Sequence, residues 1–246
     1  MKKKELVIGP SIGWIFAQGV YPLAFHKKYL VEAKASAAEM VMYFEENQRQ
    51  QALLNGDSLD VPFITVHLDD VNADMPPEVI NERVAISKKI VFRHKAQAAV
   101  VHPVTNPESF YAKLMDAGVP VAIENMDKEK PCGYHPRELW HLMEKFGLSF
   151  VLDTLHAWDH GADMRYAMDL FDMGRTRLCY LHVSGQSKEN IHSLVHKAEP
   201  KNAKSIVEFI GKVLSQIHVP IILEGKFITA IDIKDEIAFL KKELGF

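Results

Sequence analysis

The sequence predicts an α/β protein with the architecture of a (β/α)8 TIM barrel, built as a single domain over residues 1–246. Two observations predict it. Short apolar or β-branched runs alternate with longer segments of helical periodicity along the whole chain, with no low-complexity stretch, Ser/Gly linker or composition shift to mark a domain boundary. Eight such runs can be counted in 246 residues, which leaves about 31 residues per strand–helix unit, the length a βα repeat needs.

The strand candidates are Leu6–Gly9, Met40–Phe44, Phe63–His67, Ala98–His102, Val119–Glu124, Ser149–Asp153, Leu178–His182 and Pro220–Glu224. Helix signals fill the intervals. Pro76-Pro77-Glu78 opens a helix whose core candidates include Val79, Val84, Ile86, Ile90 and Val91. Asn106 before Pro107 reads as an N-cap followed by a first-turn proline, with Gly118 placed to end that helix. Pro136 and Gly147 bracket the next helix in the same way, and further helices are predicted over 164–172, 203–217 and 231–244. A doubly wound open sheet is the rival fold, but the first strand is followed only by the loose turn Gly-Pro-Ser-Ile-Gly at 9–13, not by a dinucleotide-binding glycine fingerprint.

Composition narrows the function classes. With 48% hydrophobic and 25% charged residues the chain is ordinary globular protein, and 29 basic against 32 acidic residues leave no charge excess for non-specific nucleic-acid binding. Leu6 to Phe25 carries no formal charge, but Gly9, Pro10, Gly13, Gly19 and Pro22 interrupt it. It therefore reads as a strand and loop and not as a signal peptide or membrane span. A cytoplasmic protein without membrane contact is expected, and no protein partner is evident. Cys132 and Cys179 are too few for a disulfide framework and lack Cys-x-x-Cys spacing. Cys132 reads as a loop thiol and Cys179 as core.

Histidine, at twelve residues, is the informative type. The apolar runs end in His67, His102, Glu124, Asp153, His182 and Glu224. Strand carboxyl ends of a barrel share one mouth, so these side chains converge there, and His156, three residues after Asp153, can join them. Singly, a strand-end histidine is an ordinary satisfied polar group and a strand-end acid an ordinary helix cap. Six in succession are not explained that way, and crowded carboxylates and imidazoles need a cation to compensate them. Imidazole and carboxylate donors without thiolate suit zinc, with manganese or iron as alternatives. Seven candidate ligands exceed one four-coordinate ion, so a multinuclear centre bridged by a carboxylate such as Glu124 is expected.

This arrangement resembles the xylose-isomerase-like barrels, and within them most closely the endonuclease IV family of apurinic/apyrimidinic DNA repair enzymes. The resemblance runs from the second strand to Glu224. Glu124, Asp153, His182 and Glu224 look like the metal ligands shared by the sugar isomerases, the epimerases and the nuclease. His67, His102, His156 and His192 look like the additional histidines of the nuclease. The resemblance implies one zinc on His67, His102 and Glu124, a second on Glu124, Asp153, His182 and Glu224, and a third on His156 and His192. Asn47-Gln48-Arg49-Gln50 resembles the family's DNA-recognition loop, which makes Arg49 a substrate-binding candidate. The implied reaction is hydrolysis of a phosphodiester at abasic sites in DNA, with Glu124 and Glu224 as catalytic residues.

Three features depart from the family pattern. Asn190 stands where the family's third zinc takes an Asp, with His196 or a water as the possible substitute. Leu68-Asp69-Asp70 replaces the aromatic–aliphatic wedge after the first metal histidine and brings two acids toward the phosphates. The loops between ligands are short. The alternative is a sugar or sugar-phosphate isomerase or epimerase, in which one metal on the tetrad polarises a carbonyl, Glu124 and Glu224 form the acid–base pair, and Lys226 adds charge at the substrate. A non-catalytic metal-binding barrel is the third class.

Overall fold

In the computed structural model, which describes residues 5–71, 74–103, 108–189 and 191–246, the chain folds as the expected single (β/α)8 barrel. The strands are β1 (Ile8–Pro10), β2 (Ala37–Val41), β3 (Phe63–His67), β4 (Ala98–Val101), β5 (Val121–Glu124), β6 (Ser149–Asp153), β7 (Leu178–Val183) and β8 (Ile221–Leu223). All are parallel, in the order β1-β8-β7-β6-β5-β4-β3-β2. The helices are α1 (Gly13–Ala17), α2 (Leu23–Ala33), α3 (Asn47–Asn55), α4 (Pro77–His94), α5 (Glu108–Asp116), α6 (Pro136–Phe146), α7 (Thr154–Trp158), α8 (Arg165–Gly174), α9 (Pro200–Gln216) and α10 (Ala230–Glu243). None of the described helices is long and apolar enough to cross a membrane.

The punctuation read from sequence acts as expected where it is described. Pro77 and Pro136 sit in the first turns of α4 and α6, and Gly118 and Gly147 take the left-handed conformation (φ 77° and 69°) just past α5 and α6. The Asn106–Pro107 cap lies outside the described residues. Of the α4 core candidates, Ile90 and Val91 are buried, whereas the helix turns Ile80 inward in preference to Val79.

Side-chain alternation along the strands builds the barrel in two shells. Outward residues such as Met40, Val66, Val101, Ile123, Leu152 and Leu181 pack beneath the helices. Inward residues Ala37, Ala98, Val100, Ala122, Val151, Tyr180 and Ile222 fill the interior. Two residues further along, the same inward face carries His102, Glu124, Asp153, His182 and Glu224 into the mouth, and the alternation of β3 places His67 beside them.

The seam between β1 and β2 is narrow: one parallel bridge, Ser11 to Glu39, flanked by backbone hydrogen bonds from Ile12 N to Glu39 O (2.8 Å) and from Ser36 N to Ile8 O (2.9 Å). Gly9 makes this closure possible, because a Cβ there would lie 1.7 Å from the Ala37 carbonyl oxygen. The second strand differs from the reading Met40–Phe44. It starts at Ala37, in register with Phe63, and ends at Val41 opposite His67. Ala37-Ala38-Glu39 lacks β-branched residues, so the sequence signal began three residues late and left Glu39 out of the barrel.

Candidate metal centre

Asp153 shows how local structure builds the site. It ends β6 and caps α7, its Oδ1 accepting the backbone N–H of His156 at 2.6 Å, while its buried Oδ2 has no hydrogen-bond partner. Asn125, directly after Glu124, locks the neighbouring strand end: its amide donates to Asp153 O (3.1 Å) and its Oδ1 accepts Asp153 N–H (2.8 Å).

Two donor sets meet at Glu124. His67, His102 and Glu124 form one, and Glu124, Asp153, His182 and Glu224 the other, with the donor atoms of each within 4.8 Å of one another. The two Glu124 oxygens divide between them. Oε1 lies 2.9 Å from His182 Nδ1, which is 3.4 Å from Glu224 Oε1. Oε2 lies 3.5 Å from His67 Nε2 and 3.7 Å from His102 Nε2, and those two nitrogens are 3.1 Å apart. Zinc–nitrogen bonds of 2.0–2.1 Å in a tetrahedron place donors about 3.3 Å apart, so this triangle has the dimensions of one face of such a site. Glu124 Oε2, like Asp153 Oδ2, is buried without a hydrogen-bond partner. Orphaned buried carboxylate oxygens at the centre of each set are what a cation would satisfy. The residues fit divalent metal.

The outer faces of the histidines are held in a consistent way. His67 Nδ1 lies 3.1 Å from Leu68 O, His102 Nδ1 3.5 Å from Asp70 Oδ2, and His182 Nε2 2.9 Å from Glu39 Oε2. In each ring one nitrogen is occupied by an acceptor outside the cluster and the other points into it, the arrangement that fixes the tautomer of a metal-binding histidine. Asp69 and Asp70 are accordingly not a bare acidic face. Asp69 Oδ2 accepts Phe44 N–H (2.8 Å), and Asp70 faces His102.

His156 and His192 line the same cleft, but among the described residues no set of three donors includes either. His156 Nε2 is 3.9 Å from Glu124 Oε1 and its Nδ1 is 3.5 Å from Asp127 Oδ2. His192 Nδ1 lies 3.5 Å from Ser184 Oγ. Asn190 lies outside the described residues. His196 is turned away: Glu236 accepts from its Nδ1 and from the backbone N–H groups of Val195 and His196. It serves the loop before α9, not the cleft.

The carboxylates and imidazoles of the cluster shift one another's affinity for protons. Burial opposes charge on His182, but Glu124, Glu224 and Glu39 outweigh it and raise the imidazole well above its usual range. Burial also opposes charge on His67, and Glu124 and Glu39 again raise it. Around His156 burial is outweighed by Asp153, Asp127 and Glu124, which bring it to about 9, and the hydrogen bond to His156 holds Asp127 down at about 2. Burial favours a neutral Glu124, yet His182 and His67 keep it ionised well below the carboxylate range. Glu224 goes the other way: burial together with Glu124, Asp153 and Glu39 exceeds the pull of His182 and pushes its carboxyl well above the usual carboxylate range.

The cleft has a volume of about 560 Å³, enough for a nucleotide or a sugar phosphate. Its rim carries Trp14, Tyr43, Arg49, Lys130 and Ile191. The Arg49 guanidinium is buried against Tyr43 (4.4 Å to the ring centroid) and Phe16 (5.0 Å), with Nε 3.0 Å from Glu46 and Nη1 without a hydrogen-bond partner. Lys226 lies over the Trp14 ring (5.1 Å) and lines a neighbouring groove with Lys188 and Ser193. Cys132 is indeed a loop residue, its thiol donating to Pro103 O (3.0 Å), and Cys179 packs in the barrel interior. Sequence reasoning missed Glu39, Asp70 and Asp127 as partners of the histidines.

No protein-family model matches the sequence, and no curated protein matches it. Solved structures do match, and what they share with this chain is the (β/α)8 barrel fold. A xylose isomerase domain containing protein from Salmonella typhimurium superposes with a TM-score of 0.69 over 100% of both chains at 12% identity. D-allulose 3-epimerase from Methylomonas sp. gives 0.64 over 98% of each chain at 12% identity. Endonuclease IV from Thermus thermophilus gives 0.63 at 16% identity, covering 91% of this chain and 94% of its own.

Proposed function

We propose that this chain is a metal-dependent phosphodiester hydrolase of the endonuclease IV kind, acting at abasic sites in DNA. The observation that carries the reading is the second donor set. A sugar isomerase or epimerase needs only the tetrad Glu124, Asp153, His182 and Glu224, whereas His67 and His102 stand at donor spacing from the opposite oxygen of Glu124. Glu124, with one oxygen facing each set, would be a ligand common to both if each held a metal. Zinc is the metal the donors suit best, with manganese or iron as alternatives. Two such ions, when bound, supply Lewis-acid polarisation of the phosphoryl group and activation of a water.

The chain's own residues do the rest. Glu124 fixes the spacing of the two halves of the site. Glu224, on the tetrad side, accepts the proton of the attacking water. Arg49 lines the cleft and is a cation available there to an anionic substrate, and stacking between Tyr43 and Phe16 keeps the guanidinium aligned. Lys226, beside the mouth, meets a flanking phosphate. Affinity then comes from the cleft and not from bulk charge, consistent with the net charge of -3. His156, held by Asp127, and His192 line the wall and are the residues available to a third ion.

The second reading, a sugar or sugar-phosphate isomerase or epimerase, is favoured by one observation: the tetrad is a complete four-ligand set without the histidine pair. An incision assay on a duplex with one abasic site, run beside a metal count and beside His67→Ala, separates the two. The hydrolase needs both ions and fails in His67→Ala, whereas an isomerase retains one ion and its activity.

A further inference from the structure

Below the tetrad the barrel interior is filled by residues such as Val100 and Ala122, except for one carboxylate. Glu39 is wholly buried on β2. Its Oε2 accepts hydrogen bonds from Tyr180 Oη (2.9 Å) on β7, Thr65 Oγ1 (3.1 Å) on β3 and His182 Nε2 (2.9 Å) on β7. A charge taken so far from water is costly, and a barrel floor has no packing need for it, since apolar side chains such as Val100, Ala122 and Val151 fill the interior on β4, β5 and β6. The contacts that compensate it come from residues 26, 141 and 143 positions away in sequence, so three strands are committed to placing this one oxygen.

From this geometry we infer that Glu39 is a positioning residue for His182. It accepts the Nε2 hydrogen, fixes that tautomer, and leaves the Nδ1 lone pair aimed between Glu124 Oε1 (2.9 Å) and Glu224 Oε1 (3.4 Å). Tyr180 and Thr65 hold the carboxylate in turn. An imidazole that donates to a carboxylate is also a more basic ligand through its other nitrogen. Glu39 therefore acts on the tetrad ion through His182 without touching that ion or the substrate. The inference rests on the metal reading of the cluster.

The test is zinc affinity, measured by competition with a chromophoric chelator in a His67→Ala background that leaves the tetrad alone. Glu39→Met should weaken zinc binding about 10–100-fold. Glu39→Gln, which keeps an acceptor but loses the charge, should fall between it and the parent, and Tyr180→Phe should produce a smaller loss. The unfolding midpoint of the metal-free proteins is recorded alongside. A purely structural cross-link would lower that midpoint while leaving zinc affinity equal across the parent and the variants. Equal zinc affinity in parent, Glu39→Gln and Tyr180→Phe overturns the positioning role. No zinc binding by the parent overturns the metal reading itself, a different outcome. If Glu39→Met does not fold, Glu39→Gln and Tyr180→Phe still decide the question.

Discussion

Acidification should expel the metal ions, and the structure sets the sign. Three groups in the donor sets, His67, His182 and Glu224, bind their protons more tightly than such groups ordinarily do. His182 keeps its Nε2 hydrogen toward Glu39 and must give up the one on Nδ1. His67 keeps its Nδ1 hydrogen toward Leu68 O and gives up that on Nε2, and Glu224 gives up its carboxyl proton. Filling both sites should then release protons shared across a coupled cluster. Because protons compete with the ions, affinity rises with pH while these groups remain protonated. The overall binding constant should climb about tenfold per pH unit for each proton released. Isothermal titration with zinc in buffers of different ionisation enthalpy counts the protons directly. Binding without proton release, or an affinity flat between about pH 6 and 8 where a histidine normally titrates, would refute the reasoning.

The remaining expectations follow from single contacts. His67→Ala should reduce bound metal from two ions per chain to one by elemental analysis, and Glu124→Gln should disturb both sites and abolish activity. Arg49→Ala should raise KM for an abasic duplex roughly 10- to 100-fold with little change in kcat, the size of a lost charge-assisted hydrogen bond. Glu46, its partner, has a half-exposed side chain and can solvate. An unchanged KM would mean Arg49 serves only the Tyr43–Phe16 stack. Gly9→Ala places a Cβ 1.7 Å from Ala37 O and must force β1 and β2 apart. The cost should be at least about 3 kcal/mol, the top of the overpacking range. For a chain of this size that lowers the thermal midpoint by roughly 6–12 °C, which calorimetry of the metal-free protein reads.

The barrel was legible in the sequence because most strands write their own signal, an apolar run closed by a polar residue in β3 to β8, and the mouth was legible because those polar residues fall at the same end of these six strands. Phe63–His67 and Ser149–Asp153 match residue for residue. What could not be read is what depends on the closed ring. Glu39 sits in Ala-Ala-Glu-Met, where a charge between alanines looks like the approach to a strand and not its interior. Only the register of β2 with β3 and the return of β7 bring it under His182. Asp70 looked like repulsion toward phosphate until the loop turned it onto His102. The expected third site shows the converse limit. His156 and His192 share the cleft, but His156 is turned to Asp127 and His192 to Ser184, contacts that spacing along the chain does not specify.

The most direct test of the central claim, that Glu124 joins two ion sites serving phosphodiester hydrolysis, is incision of a 5′-labelled duplex bearing one abasic site by protein of known metal content. The account gives cleavage on the 5′ side of the abasic sugar by protein carrying two or more ions, abolished by chelation and by His67→Ala. Protein that carries both ions and leaves the abasic strand intact would contradict it.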